Sequence, residues 1–256
     1  MKLETVSANY DRLAPYYDRV TDLVFHRLLG FGRYREALVD RLGDLCGATV
    51  LDIGCGTGNN WPLLVPRVGP SGRVIGVDYS SGMLERARRR IDAAGWSNVE
   101  LVRDDAATLS GIDVQVDAVL SAWCLGIVHD LPAVLARLVE LTRPGGRIAI
   151  LDFARSRRDG GAKRLLDPLY RRMLTATGID SPEDVDDEAL RERWRAGKAV
   201  LATRLPDLVE ERYFGGAGLL LHGTRPLGAA ENGTRCARST GDVGGMPTSP
   251  GNDRAG

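Results

Sequence analysis

Short apolar runs punctuate the first 155 residues, and between them apolar positions recur at helical spacing. The runs near 48–53, 73–78, 99–103, 116–121 and 147–153 read as buried strands. The stretches near 58–67, 82–94 and 131–142 read as helices. In the second of these, Met83, Leu84, Ala87 and Ile91 form one apolar stripe, while Arg86 and Arg88 to Arg90 mainly face solvent. Strands alternating with helices predict a parallel sheet covered on both faces.

The rhythm differs on either side of this region. Before it, Leu23, Val24, Phe25, Leu28 and Leu29, then Tyr34, Ala37, Leu38 and Leu42, predict helices that form a cap over residues 1–45. After it, 156–205 reads as two or three helices inserted as a lid. Leu165, Leu166, Leu169, Tyr170, Met173 and Leu174 give that lid a wide apolar face between basic pairs. Ser181-Pro182-Glu183-Asp184 has the chemistry of a helix start. Leu208 to Phe214 and Leu219 to Gly223 read as two strands around a glycine-rich turn. Residues 227–256 are rich in Gly, Ser, Thr and Pro and too poor in apolar residues to offset ordering entropy, so a disordered tail is expected.

Composition narrows the function classes. Lysine plus arginine equals aspartate plus glutamate at 34 each, so no global basic field draws in nucleic acid. Cys46, Cys55, Cys124 and Cys236 form no Cys-x-x-Cys pair, which speaks against structural zinc and for a reduced, cytoplasmic protein; no metal is expected. No apolar run is long enough to span a bilayer, and the first ten residues lack a signal-peptide core.

The chemistry gathers at strand ends. Val50-Leu51-Asp52-Ile53 runs into Gly54-Cys55-Gly56-Thr57-Gly58-Asn59, and Val74-Ile75-Gly76-Val77 ends in Asp78. A strand, a glycine turn, a helix and a strand with a terminal acid make a nucleotide-binding unit. Glycine lets backbone approach a ligand closely. A carboxylate at Asp78 can accept from two ribose hydroxyls. A dinucleotide fingerprint needs glycine at the sixth position, where this chain has Asn59, so a nicotinamide dinucleotide is disfavoured.

The acid followed by Gly54-x-Gly56-x-Gly58 resembles the first motif of the class I S-adenosylmethionine-dependent methyltransferases. Asp78 to Leu84, Asp104-Asp105-Ala106, Val116 to Ser121 and Leu141 to Arg147 resemble that family's later motifs, in order. The resemblance covers roughly residues 45 to 155. It implies an α/β fold, a doubly wound Rossmann-like seven-stranded, mostly parallel sheet with a helical N-terminal cap and lid insertion. The methyltransferase domain would span 46–226, and the cofactor would be S-adenosyl-L-methionine. Carried over residue by residue, Asp52 organises the glycine loop and reaches the methionine end. Asp78 takes the ribose, Tyr79 and Met83 line the adenine pocket, and Asp105 with Ala106 meets the adenine edge, with Asp104 as competitor to Asp105. Ser121 contributes backbone. Met83 also fits plain core packing, and Trp123 fits a substrate wall and core packing equally.

The opening Tyr10-Asp11-x-x-Ala14-x-x-Tyr17-Asp18 resembles two subgroups, the ubiquinone and menaquinone C-methyltransferases and the bacterial phosphatidylethanolamine N-methyltransferases. That resemblance places Tyr17 near the methionine part and lets Arg33 pair with the cofactor carboxylate. His129 stands near a strand end as a candidate general base, or caps the helix that follows. Where the quinone enzymes carry an Arg-Asn pair, this chain has Gly126 and Ile127. The apolar loop Trp123 to Val128 and the amphipathic lid suit a small-molecule or lipid acceptor, with peripheral membrane contact at an anionic surface; simple packing of the lid on the sheet is the competing account. The alternative function is a non-catalytic, cofactor-binding regulatory or scaffolding protein.

Overall fold

The computed structural model describes residues 32–128, 130–153, 187–213, 216 and 218–228. The chain divides into two units, Met1–Pro226 and Leu227–Gly256. The cap before residue 32, the lid face Leu165 to Leu174, the helix start at Ser181 and the tail from 229 onward lie outside the described residues, as do Tyr17 and His129.

In chain order the elements are α1 (Gly32–Asp40), β1 (Thr49–Ile53), α2 (Trp61–Val68), β2 (Arg73–Asp78), α3 (Ser81–Ala94), β3 (Val99–Arg103), β4 (Val116–Ala122), α4 (Leu131–Leu141), β5 (Thr142–Phe153), α5 (Asp187–Arg204), β6 (Val209–Tyr213) and β7 (Gly218–Thr224). They build a seven-stranded sheet in the order β3-β2-β1-β4-β5-β7-β6. β1 to β5 run parallel, and β7 lies antiparallel to both β5 and β6. The order reverses between β1 and β4, so their carboxyl ends open the crevice where such sheets take ligands.

The period-two alternation of each strand sorts the core into two clusters. Leu51, Ile53, Val119, Ile148, Ile150 and Leu219 pack with α4 and α5. Val50, Leu120, Leu151 and Leu220 pack on the opposite face with Leu38 and Val39 of α1 and Trp61 and Leu64 of α2. Gly197 lets α5 come close to α4, because a Cβ there would stand 2.7 Å from a methyl of Leu135.

Local chemistry sets where elements start and stop. Ser80 caps α3 by accepting from the Met83 amide at 3.1 Å, and Gly95 ends it in the left-handed region. Asp130 caps α4 by accepting from the Ala133 amide at 3.1 Å. α2 starts at Trp61 rather than at Gly58, because Gly58 has φ +80 and belongs to the loop. β5 starts at Thr142, ahead of the Pro-Gly-Gly turn, because Thr142 pairs with Val116 before the register shifts.

α1 is bound to the far edge of the sheet by polar contacts as well as by its apolar face. Arg41, just past its end, donates twice to Glu211 on β6, at 2.6 and 3.1 Å. That pairing pulls the Glu211 carboxyl down to about 2. Tyr213 adds a hydrogen bond to the same carboxylate, and the Tyr34 ring meets the Tyr213 ring edge-on at 4.8 Å. Leu38, fully buried on this helix, anchors the apolar side. Leu38→Ala should therefore cost about 2–5 kcal/mol in urea unfolding. A loss below about 1 kcal/mol, the scale of an exposed site, would show that α1 does not pack on the sheet.

Candidate functional site

The crevice at the carboxyl ends of β1, β2 and β4 is organised around Asp52. Its side chain is fully buried. One oxygen accepts from Asn60 Nδ2 at 3.0 Å, the other from Trp61 Nε1 at 3.1 Å. Arg35 of α1 donates to the Oδ1 of the same Asn60, and its guanidinium lies 4.5 Å from the centre of the Trp123 ring. Burial pushes the Asp52 carboxyl up to about 7, against the pull of Asn60, Arg35 and Trp61. Asp52 thus grips the loop from inside.

The three loop glycines do different work. A Cβ on Gly54 would stand 2.2 Å from Cys124 Sγ, and one on Gly58 would stand 2.2 Å from the Trp61 ring. A Cβ on Gly56 would meet nothing within 4 Å. Gly54 and Gly58 are packing glycines, whereas the space beside Gly56 is open for a ligand. Gly56 donates its amide to Asp78 Oδ2 at 2.8 Å, and Ser80 donates to Oδ1 at 2.9 Å. A carboxylate oxygen can accept from more than one donor at a time. The cradle and the acid thus fit a nucleoside.

The remaining predicted residues fall around this slot with differing exposure. Tyr79 is half-buried and fixed by Arg103, which donates to the Tyr79 carbonyl at 3.1 Å and lies over its ring. Met83 is buried at 2% exposure, so its side chain is a core contact beneath α3. Asp104 spends both oxygens on its own turn, on the amides of Asp105 and Gly111. Asp105 commits one oxygen to the Ala107 amide, and Ala106 beside it is half-buried. Ser121 is fully buried, and its hydroxyl donates to the Ile53 carbonyl at 3.0 Å, binding β4 to β1. Arg33 is exposed and lies against its neighbour Tyr34, donating to that hydroxyl at 2.7 Å.

Three residues of the crevice escaped sequence reasoning: Arg35, Asn60 and Asp152. Arg35 lies three and four positions before Leu38 and Val39, on the buried stripe of α1, and that placement was its available signal. Trp123 has φ +55 and stacks on Phe153 at 6.3 Å. Among the described residues, Cys46, Cys55 and Cys124 are free thiols, no His/Cys/Asp/Glu group could hold a metal ion, and no helix is long and apolar enough to cross a membrane. Burial raises the Cys55 and Cys124 thiols well above their ordinary range, which keeps them protonated.

The raised Asp52 carboxyl makes a pH prediction. Between the ordinary value of 3.8 and about 7 the folded chain holds a proton that the unfolded chain has lost. Stability from this group therefore falls as pH rises through that window. From pH 5 to 8 the loss should be about 2–3 kcal/mol, and Asp52→Asn should remove it. Urea unfolding at both pH values checks this, and equal pH slopes in wild type and variant would contradict it.

Residues 50–146 match a family profile described as Methyltransferase domain. The chain is 36% identical over 155 residues to a 2-phytyl-1,4-naphthoquinone methyltransferase of Thermosynechococcus vestitus, covering 59% of this chain and 66% of that protein, just under two thirds of its length. It is 28% identical over 177 residues to a demethylmenaquinone methyltransferase of Listeria welshimeri, covering 69% and 74%. The fold is shared with a SAM-dependent methyltransferase from Aquifex aeolicus, with TM-score 0.52, 23% identity and 75% and 89% of the two chains covered. It is shared too with the N-methyltransferase NodS from Bradyrhizobium japonicum in complex with S-adenosyl-L-homocysteine, with TM-score 0.53, 18% identity and 81% and 91% covered. In its sheet order, its glycine cradle and the acid at the end of β2, as in the match over residues 50–146, the chain resembles the class I S-adenosylmethionine-dependent methyltransferases.

Proposed function

We propose that this chain transfers a methyl group from S-adenosylmethionine to a small lipophilic acceptor, and that the acceptor is a reduced prenylated naphthoquinone. The observation that carries the reading is the open Gly56 cradle beside Asp78, next to a wall of Trp123 and Phe153. The names of the two quinone methyltransferases it resembles support the acceptor class.

In this reading Asp78 accepts from the ribose hydroxyls while keeping the Gly56 amide. Asp105 meets the adenine amino group with the oxygen not used on Ala107, and the Ala106 backbone meets the ring edge. Tyr79, braced by Arg103, packs on the adenine. Asp52 acts through Asn60 and the loop, and Ser121 fixes the ends of β4 and β1. Arg33 would have to leave Tyr34 to reach the methionine carboxylate, whereas Arg35 already lies beside Asp52, so Arg35 takes that role. Tyr17 closes over the methionine end, and His129 is the candidate base. Bound there, the cofactor supplies a methyl group on a sulfonium, already an activated leaving group. The protein has mainly to align the acceptor and exclude water, and orientation of this kind supplies roughly 7–11 kcal/mol of a barrier.

Two measurements test the reading. Asp78→Ala should weaken S-adenosylhomocysteine binding in calorimetry by about 2–4 kcal/mol, the scale of lost charge-assisted hydrogen bonds. Equal affinity would remove Asp78 from the ribose. Incubation with labelled cofactor and dithionite-reduced 2-phytyl-1,4-naphthoquinone should yield a labelled methylated naphthoquinol. Tight cofactor binding with no labelled product from this acceptor would contradict the acceptor assignment.

A further inference from the structure

Asp152 is a buried carboxylate that none of the roles above uses. It sits at the carboxyl end of β5, 4% exposed, opposite Leu219 of β7. One oxygen accepts from the Phe153 amide at 2.7 Å, the other from the Gly126 amide at 3.0 Å. The amides of Leu125 and Cys124 also favour its charged form. Gly126 and Leu125 belong to the single turn of 3-10 helix, Leu125–Ile127, that follows β4, and Cys124 is its N-cap. The turn has one foot in the core, because Leu125 is fully buried, and one outside, because Ile127 is 48% exposed. A Cβ at Gly126 would stand 3.0 Å from Asp152 Oδ1, so this position has to stay small for the carboxylate to reach. The turn and Asp152 therefore form one unit. It replaces, at Gly126 and Ile127, the polar pair expected of quinone enzymes.

That unit borders the wall described above. Trp123, immediately before it, is held by its amide to the Leu151 carbonyl at 2.7 Å and stacks on Phe153, the residue after Asp152. Cys124 lies between, its thiol raised by burial and by the carboxylates of Asp78, Asp152, Asp52 and Asp105. From α5, Arg193 donates to the Val128 carbonyl at the far end of the turn, at 3.1 Å. The neighbours of Asp152 in the sheet, Leu151 and Leu219, are apolar.

We infer that Asp152 is a positioning residue for the methyl acceptor: while ionised, its carboxylate gathers the amides of the Leu125–Ile127 turn and so sets the wall from Trp123 to Ile127 that the acceptor meets. The inference rests on the lipophilic-acceptor reading, and it adds a pH dependence to that site. Protonation turns one oxygen of the carboxylate into a donor facing an amide donor, and the turn loosens. Burial pushes the Asp152 carboxyl up to about 6, so this loss falls within an accessible range.

The test uses the whole chain and Asp152→Asn, which keeps the shape and removes the charge. Hydrogen exchange in the S-adenosylhomocysteine complex should show the amides of Leu125, Gly126 and Phe153 losing protection in the variant, with cofactor affinity unchanged within about twofold. With saturating cofactor and reduced 2-phytyl-1,4-naphthoquinone, kcat/KM should fall about tenfold or more above pH 7, carried by KM, on the scale of a small misplacement of a bound reactant. The ratio of wild type to variant cancels the acceptor's own ionisation. That ratio should shrink toward one as pH falls from 7 to 5. If the naphthoquinol is not turned over, the ratio is read with phosphatidylethanolamine vesicles, so that failure of the acceptor assignment is separate from failure of Asp152. Unchanged amide protection overturns the inference whatever the acceptor, as does a ratio independent of pH, or cofactor affinity falling in step with turnover.

Discussion

A carboxylate buried at the end of the central strand needs hydrogen-bond partners, and those of Asp52 shape the crevice. Asn60 and Trp61 donate to it directly, so the loop that carries the glycines has to fold back over β1. Trp61 in turn needs room, which Gly58 and Gly76 supply by lacking a side chain. Arg35 reaches Asn60 only because α1 lies across the sheet, held by Leu38 and by the Arg41–Glu211 pair. The docking of one helix and the path of one loop are thus set by the same buried carboxyl group.

The remainder of the crevice divides the labour between backbone and side chain. The loop glycines leave one open face at Gly56, and Asp78 holds that face from the neighbouring strand. On the other side of β1 the strand ends carry aromatic rings, with Trp123 between Arg35 and Phe153. A polar cradle on one flank and an apolar wall on the other suit a charged nucleoside ligand meeting a greasy acceptor. Asp152 mirrors Asp52 on the opposite face of the sheet, each carboxylate holding a loop by its donors.

Much of the fold was legible because strand ends carry their own punctuation. Asp52, Asp78 and Ser121 stand where apolar runs stop, and each lies at or one residue from the end of its strand. The competition between Asp104 and Asp105 was not legible, since adjacent acids look alike until the turn shows Asp104 accepting the amides of Asp105 and Gly111. Arg33 was singled out for its Gly-Arg setting, yet the helix phase turns Arg35 inward and leaves Arg33 outside. Asp152 broke an apolar run after Leu151, a signal readable in the sequence, whereas Asn60 had none, because loop hydrogen bonding has no period. Met83, which fitted the adenine pocket and core packing alike, lies on the buried stripe of α3 at 2% exposure.

The central claim is that the cofactor lies across the carboxyl ends of β1, β2 and β4, with Asp78 on its ribose. A crystal structure with S-adenosylhomocysteine tests it most directly. The account predicts both ribose hydroxyls within about 3.2 Å of the Asp78 carboxylate, with the ligand backbone passing beside Gly56. A ligand bound elsewhere, or seated there with its ribose turned away from Asp78, would contradict it.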